Sequence, residues 1–373
     1  MKVRKRYVLA GLVLAGAVAA AALGVASSSG GGKRATKDKV TLQLKWVTQA
    51  QFAGYYAAKA KGYYAKQGLD VNLKVGGPNI TPEVVVASGQ AQFGIDWQGS
   101  LLSTRDKGGK IINIGQVYTR SGTTELTWKD TGLNSFCKLR RKKVGVWIGG
   151  NEFEQYAALR KCGIDPNNKG QVTIFAQPFD MQAFLNRQID AASAMTYNEL
   201  AQVLETKNPK TGKLYRLKEL NVFKYEKLGT GMLQDAVFVR DSWIKDKKNQ
   251  DIARRFLQAS FQGWIYCRDH YRACVNIVLA NGPTLGRGHQ TWQMNEVNKL
   301  IWPAKLGIGV ISPAAARRTV AVARQGKLIT KAPTTWYRAD LAKKAVANLK
   351  RQGLDVYGKR WKPAVVHVTP GGK

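Results

Sequence analysis

The chain has little with which to do covalent or metal chemistry. Its 373 residues include only three histidines, His270, His289 and His367, and its four cysteines form no Cys-x-x-Cys pair. No two histidines stand at metal-ligand spacing, which argues against a zinc or iron site built from local motifs. His289 has no acid or nucleophile pattern beside it that would suggest catalysis. The expectation is no catalytic residue, no metal and no cofactor. Acidic residues are also scarce, 24 against 59 Lys and Arg, for a formal charge of +35. Such an excess raises nucleic-acid binding, but the cations are scattered, with only short runs such as 138–143. Neither a recognition helix nor an aromatic-basic RNA signature is present, so nucleic acid is not an expected partner. The charge reads as solvated surface, suited to staying near anionic lipid or cell-wall polymer.

What is present begins at the N-terminus. Lys2, Arg4, Lys5 and Arg6 precede an uncharged run over 7–26, followed by Ser and Gly over 27–32. That order is the one of an export signal, with Gly24 and Ala26 placed for cleavage before Ser27. The run also approaches the ~20 residues that span a bilayer, so an uncleaved anchor is the alternative. Either way the rest of the chain is expected outside the cytoplasm, after a flexible linker over 27–39.

Hydrophobic residues make up 44% of the chain, enough for real cores, and its length suggests two lobes. Strand-like segments over 40–46, 71–75, 93–97 and 111–118 alternate with helical ones, and a second alternating run starts at 143. This order predicts an α/β protein, each lobe a mostly parallel sheet flanked by helices. The middle lobe is expected over 131–230, inserted between 40–130 and 231–345 of the first, with a C-terminal extension over 346–373 that is loose from about Gly358. Two crossover strands, within 124–134 and 227–235, would form a hinge, and the cleft between lobes is a preferred ligand site.

Four strand ends carry aromatic and polar groups together: Trp46, Gln51 and Tyr55 after the first, Asp96-Trp97 at the third, Trp147 with Asn151-Glu152, and Tyr197-Asn198-Glu199. In open parallel sheets ligands bind outside the carboxyl ends of strands. Rings offer faces for stacking a planar heterocycle, and carboxylates and amides pair with its nitrogens, amino groups or carbonyls. Asp235, near the returning crossover, is a further candidate acceptor. Each cluster has a plainer reading as core, cap or first-turn charge; four at one edge make the binding reading stronger. Among the cysteines, Cys137 and Cys162 fall at the same edge of a strand–helix unit and are positioned to bridge. Cys267 and Cys274 can bridge if 268–273 is a turn between helices, and cannot if it is continuous helix.

The segments LKWVTQAQFAGYYAAKAKGYYAKQGLDV, VVASGQAQFGIDW, VGVWIGGNEFE and AMTYNEL resemble the bacterial substrate-binding proteins of the thiamine-pyrimidine-precursor family, which has relatives proposed to bind riboflavin. The resemblance runs over about 40–329. It implies a two-lobed periplasmic-binding fold, an ABC permease with its cytoplasmic ATPase as partner, and a small heterocycle held between lobes by Trp46, Gln51, Tyr55, Asp96, Trp97, Trp147, Asn151, Glu152, Tyr197, Asn198 and Glu199. Enzymes that synthesise the thiamine pyrimidine belong to the same family, but carry an iron-binding cysteine motif and a histidine in the segment equivalent to 48–55. Here that segment has no His and 229–238 has no Cys. The expectation is a non-enzymatic binder, of a pyrimidine or of riboflavin. A sulfonate binder of the same fold would need Arg or Lys in the cleft, where the candidate clusters carry acids and amides.

Overall fold

The computed structural model describes residues 36–373; the export-type segment at 1–26 and most of the linker lie outside the described residues. Ten strands follow in order: β1 Asp38–Gln43, β2 Leu69–Lys74, β3 Phe93–Asp96, β4 Ile111–Tyr118, β5 Thr123–Trp128, β6 Lys143–Val146, β7 Thr173–Ala176, β8 Ala191–Met195, β9 Leu220–Lys224 and β10 Gln234–Arg240. They form two five-stranded sheets, β2-β1-β3-β10-β4 and β7-β6-β8-β5-β9. In each sheet a single strand opposes the rest: β10 is antiparallel to β3 and β4, and β5 is antiparallel to β8 and β9.

Those two reversed strands mark where the chain changes lobe. β5 follows β4 after four residues and hydrogen-bonds into the second sheet, so the first crossing falls at 119–122, ahead of the crossover expected within 124–134 and of the lobe boundary expected at 130/131. The chain returns over 229–233 and enters the first sheet as β10. The crossings are tied to each other. Gly122 N–H donates to Gln234 Oε1 at 2.8 Å, and the buried carboxylate of Glu154 accepts from Ser121 Oγ and Met232 N. Burial pushes Glu154 up to about 8.

The first lobe's core forms where the helix Ala53–Ala60 crosses the long helix Lys247–Asp269. Small residues permit the close approach: a Cβ on Gly54 would lie 2.2 Å from the Trp264 ring, and one on Gly263 would lie 2.0 Å from Gly54 O. The helix Asp340–Arg351 buries Leu341, Ala345 and Leu349 in this same core, so the boundary expected at 345/346 falls inside an integral helix. Nor is the tail loose. Ala364 exchanges two hydrogen bonds with Asn295, and Gly371 N–H donates to Glu205 O at 2.9 Å.

The long helix ends at Asp269 and the next begins at Tyr271, with His270 between them in non-helical conformation. That break brings Cys267 and Cys274 together as a disulfide; Cys137 and Cys162 form the second. Among the described residues no helix is long and apolar enough to cross a membrane.

Candidate functional site

A cleft of about 650 Å³ lies between the lobes. Ten of the twelve expected residues line it: Trp46, Gln51, Asp96, Trp97, Trp147, Asn151, Glu152, Tyr197, Asn198 and Glu199. The other two do not. Tyr55 packs edge-on against Trp264 in the first lobe's core, because the helix Ala53–Ala60 turns that face inward. Burial and the nearby Asp235 charge push its hydroxyl well up. Asp235 sits one layer behind the cleft and acts on the lining. Its carboxylate accepts from Gln51 Nε2 at 3.0 and 3.1 Å and from Trp97 Nε1 at 3.1 Å, fixing an amide and an indole of residues that do line the cleft. Burial raises Asp235 to about 7.

The aromatic walls come from both lobes. Trp46 meets Phe179 with ring centroids 4.6 Å apart, and Phe179 stacks on Trp147 at 6.3 Å. Tyr197 stands edge-on to Tyr118, whose hydroxyl donates to Gln51 O at 2.9 Å. Such faces suit a flat ring. Several polar groups expected to meet a ligand already have intramolecular work. Glu152 caps its own turn, accepting from Gly150 N and Asn151 N at 2.8 and 2.9 Å. Glu199 accepts from Met195 N and Asn198 Nδ2, and its burial raises its pKa. Asn151 Oδ1 is buried without a partner.

Sequence reasoning passed over Lys45, Gln49, Glu83 and Phe179, which also line the cleft. Phe179 follows β7, so the strand-end rule applied to that strand would have found it. Glu83 looks in sequence like an ordinary first-turn acid. Nor is the cleft without cations: Lys45, Lys107, Arg160 and Lys327 all contribute to its wall. Lys45 is neutralised by Asp96 at 2.5 Å and lies 4.9 Å from the Trp97 ring centroid, while Arg160 donates to Gly326 O.

The lobes touch beyond the aromatic contact. Ser100 Oγ donates to Gly150 O at 3.2 Å, and Trp292 Nε1 donates to Thr196 O at 3.0 Å. His289 Nδ1 lies 2.9 Å from Glu205 and its Nε2 2.8 Å from Asn198 Oδ1. Among the described residues no three His, Cys, Asp or Glu side chains gather as metal ligands.

Residues 49–273 match the family described as NMT1/THI5 like. The chain belongs to that family. It is 25% identical over 234 residues to the riboflavin-binding protein RibY of Chloroflexus aurantiacus, covering 61% of this chain and 62% of RibY. It is 28% identical over 142 residues to the 4-amino-5-hydroxymethyl-2-methylpyrimidine phosphate synthase of Legionella pneumophila, covering 37% of this chain and 44% of the synthase. The chain thus spans less than half the length of that relative. Among solved structures, the periplasmic aliphatic sulphonate binding protein SsuA of Escherichia coli has a TM-score of 0.60 at 11% identity, covering 88% of this chain and 94% of SsuA. The ligand binding component of an ABC-type import system from Staphylococcus aureus has a TM-score of 0.58 at 13% identity, covering 83% and 99%. At such identities the likeness is one of fold, and the fold is that of the periplasmic binding proteins.

Proposed function

We propose that the protein is an extracytoplasmic solute-binding protein of an ABC importer, closing its lobes on a planar nitrogen heterocycle of the thiamine-pyrimidine-precursor type, such as formylaminopyrimidine. The observation that carries this reading is the makeup of the cleft. Trp46 and Trp97 from one lobe and Trp147, Phe179 and Tyr197 from the other surround it, and carboxylates and amides occupy the edges between them. Rings that stack and polar groups that are fixed in advance together select a flat, weakly charged guest; a wrong ring would leave buried donors or acceptors unpaired. A hinge of two crossings permits an open form that the guest converts to the closed one. A permease is the natural partner of the closed form, and the basic surface suits an anionic envelope.

Riboflavin is the second reading. It is favoured by the match to RibY, which spans more of this chain than the match to the synthase, and by a cleft long enough in volume for a larger ring system. The synthase reading has less support. All four cysteines are held in disulfides away from the cleft, and His289 is occupied between the lobes. The test is the ligand itself: protein exported by its own cell is denatured and the released small molecule identified by mass spectrometry. A pyrimidine supports the first reading, a yellow flavin replaces it by the second, and a sulfonate overturns both.

A further inference from the structure

The last stretch of the chain touches both lobes in turn. Tyr357 and Trp361 pack on the first lobe's core, and the backbone of Ala364 exchanges hydrogen bonds of 2.9 and 3.1 Å with the Asn295 side chain on the helix Arg287–Ile301. Val368 then packs, beside Trp292, on the second lobe's core. Gly371 N–H donates at 2.9 Å to Glu205 O, at the end of the helix Glu199–Leu204. Three residues, 365–367, separate the anchor on one lobe from the anchor on the other, a tether of at most about 14 Å from Ala364 to Val368 when fully extended. The turn that follows is wedged between the lobes. On the first-lobe helix, a Cβ on Gly288 would lie 1.9 Å from Thr369 Oγ1 and 2.7 Å from Lys373 O; on the other side, a Cβ on Gly372 would lie 2.9 Å from Glu205 Oε2. The lobes cannot part here unless one of these two faces lets go. The cleft is connected to this turn through a single helix: Asn198 caps its start and Glu199 is its first residue, both lining the cleft, and Glu205 caps its end.

We propose that residues 361–372 form a strap that latches the two lobes over the guest and positions Asn198 and Glu199 through Glu205, so that the strap must loosen before the guest leaves. This role rests on the solute-binding reading above and deepens it: the residence time of the guest is set in part by residues that do not line the cleft. The crossings join the lobes covalently in any arrangement, whereas the strap's bonds to the second lobe stabilise the arrangement in which they form.

The test uses two variants of the full chain, Gly288→Ala and Val368→Ser. Position 288 is in the first turn of a helix, where Ala is the better helix former, but its methyl would occupy the space of Thr369 and the Lys373 carbonyl. Ser at 368 removes the apolar anchor on the second lobe. Small-angle scattering of the unliganded proteins is expected to give both variants a larger radius of gyration than the wild type, with thermal unfolding still cooperative. Stopped-flow tryptophan fluorescence, with 4-amino-5-hydroxymethyl-2-methylpyrimidine and separately with riboflavin, is expected to show dissociation about tenfold faster in both variants, in the range of conformational coupling, and association changed far less. A wild-type radius of gyration in both variants overturns the strap. Expanded variants that release their guest at the wild-type rate overturn its hold on the guest. Failure of the wild type to bind either compound counts against the heterocycle reading alone, and the scattering comparison still decides the strap.

Discussion

The imidazole of His289, on the helix Arg287–Ile301 that packs in the first lobe, reaches the carboxylate of Glu205 in the second at 2.9 Å. Its other nitrogen faces Asn198 Oδ1, and Asn198 in turn holds Glu199 at the cleft. Both ring nitrogens lie within hydrogen-bond distance of side-chain oxygens, one on Glu205 and one on Asn198. One side chain thus bridges the lobes and braces the lining. Bonds that join the two lobes stabilise the arrangement in which they form relative to any in which the lobes part. His289→Ala should weaken ligand affinity by about tenfold, in the range of ordinary conformational coupling, and enlarge the radius of gyration of the ligand-bound protein in small-angle scattering. Unchanged affinity would remove His289 from the closure mechanism.

Trp46 supplies a ring face that meets the opposite lobe through Phe179. Trp46→Ala should lower heterocycle affinity by about 10- to 100-fold, since aromatic contacts add to the area they bury. Adding Glu199→Ala should abolish the ligand-induced change in tryptophan fluorescence while circular dichroism stays native. A fluorescence response equal to that of the wild type would place the guest elsewhere.

Stability should depend on pH through the second lobe's core. Glu125 on β5 is fully buried, accepts from Tyr225, Gln155 and Ser193, and is pushed by burial up to about 8. An unfolded glutamate titrates near 4.3. Between those values the folded chain binds the extra proton, so this group's contribution is complete below about pH 4.3 and is lost as pH rises through about 8. Glu154 at the crossing, also raised to about 8, acts with the same sign. Glu125→Gln should therefore gain stability relative to wild type as pH rises from 5 to 8.5, read from urea midpoints. A difference that stays constant across that range would show that Glu125 ionises normally in the fold.

The disulfide between Cys137 and Cys162 closes a loop of 25 residues in sequence separation. Converting both to Ser should cost about 3.5 kcal/mol by the loop-entropy estimate, measured by denaturant unfolding, with ligand affinity unaffected because neither cysteine lines the cleft. Loss of affinity without loss of stability would place this bridge in the binding machinery.

Much of this architecture was legible in the chain because local rules were enough. Alternation in 40–46 and the aromatic-alanine helix after it gave β1 and the helix Ala53–Ala60, and strand ends drew attention to Trp46, Trp97, Trp147 and Tyr197. The lobe boundary was misplaced because nothing local tells a strand which sheet it will join; β5 is fixed by its pairing with β8, about 70 residues away. Tyr55 and Asp235 were credited with facing the guest because strand-end proximity does not reveal which face of a helix or strand turns inward. Glu83 was missed because a first-turn acid looks ordinary in sequence, and only the packed structure places it, buried, in the wall of the cleft. Likewise the tail reads as loose from its glycines and lysines, yet its backbone pairs with Asn295 and Glu205 across a long sequence separation.

The central claim is that aromatic and polar groups from two lobes enclose a flat nitrogen heterocycle. Its most direct measurement is a calorimetric titration of the protein with 4-amino-5-hydroxymethyl-2-methylpyrimidine, riboflavin and an alkanesulfonate in parallel. The account predicts one-to-one binding of the aminopyrimidine at about micromolar affinity or tighter, with a negative heat-capacity change from the apolar surface buried. Binding of the sulfonate alone, with neither ring compound producing heat or protecting the protein against thermal unfolding, would contradict it.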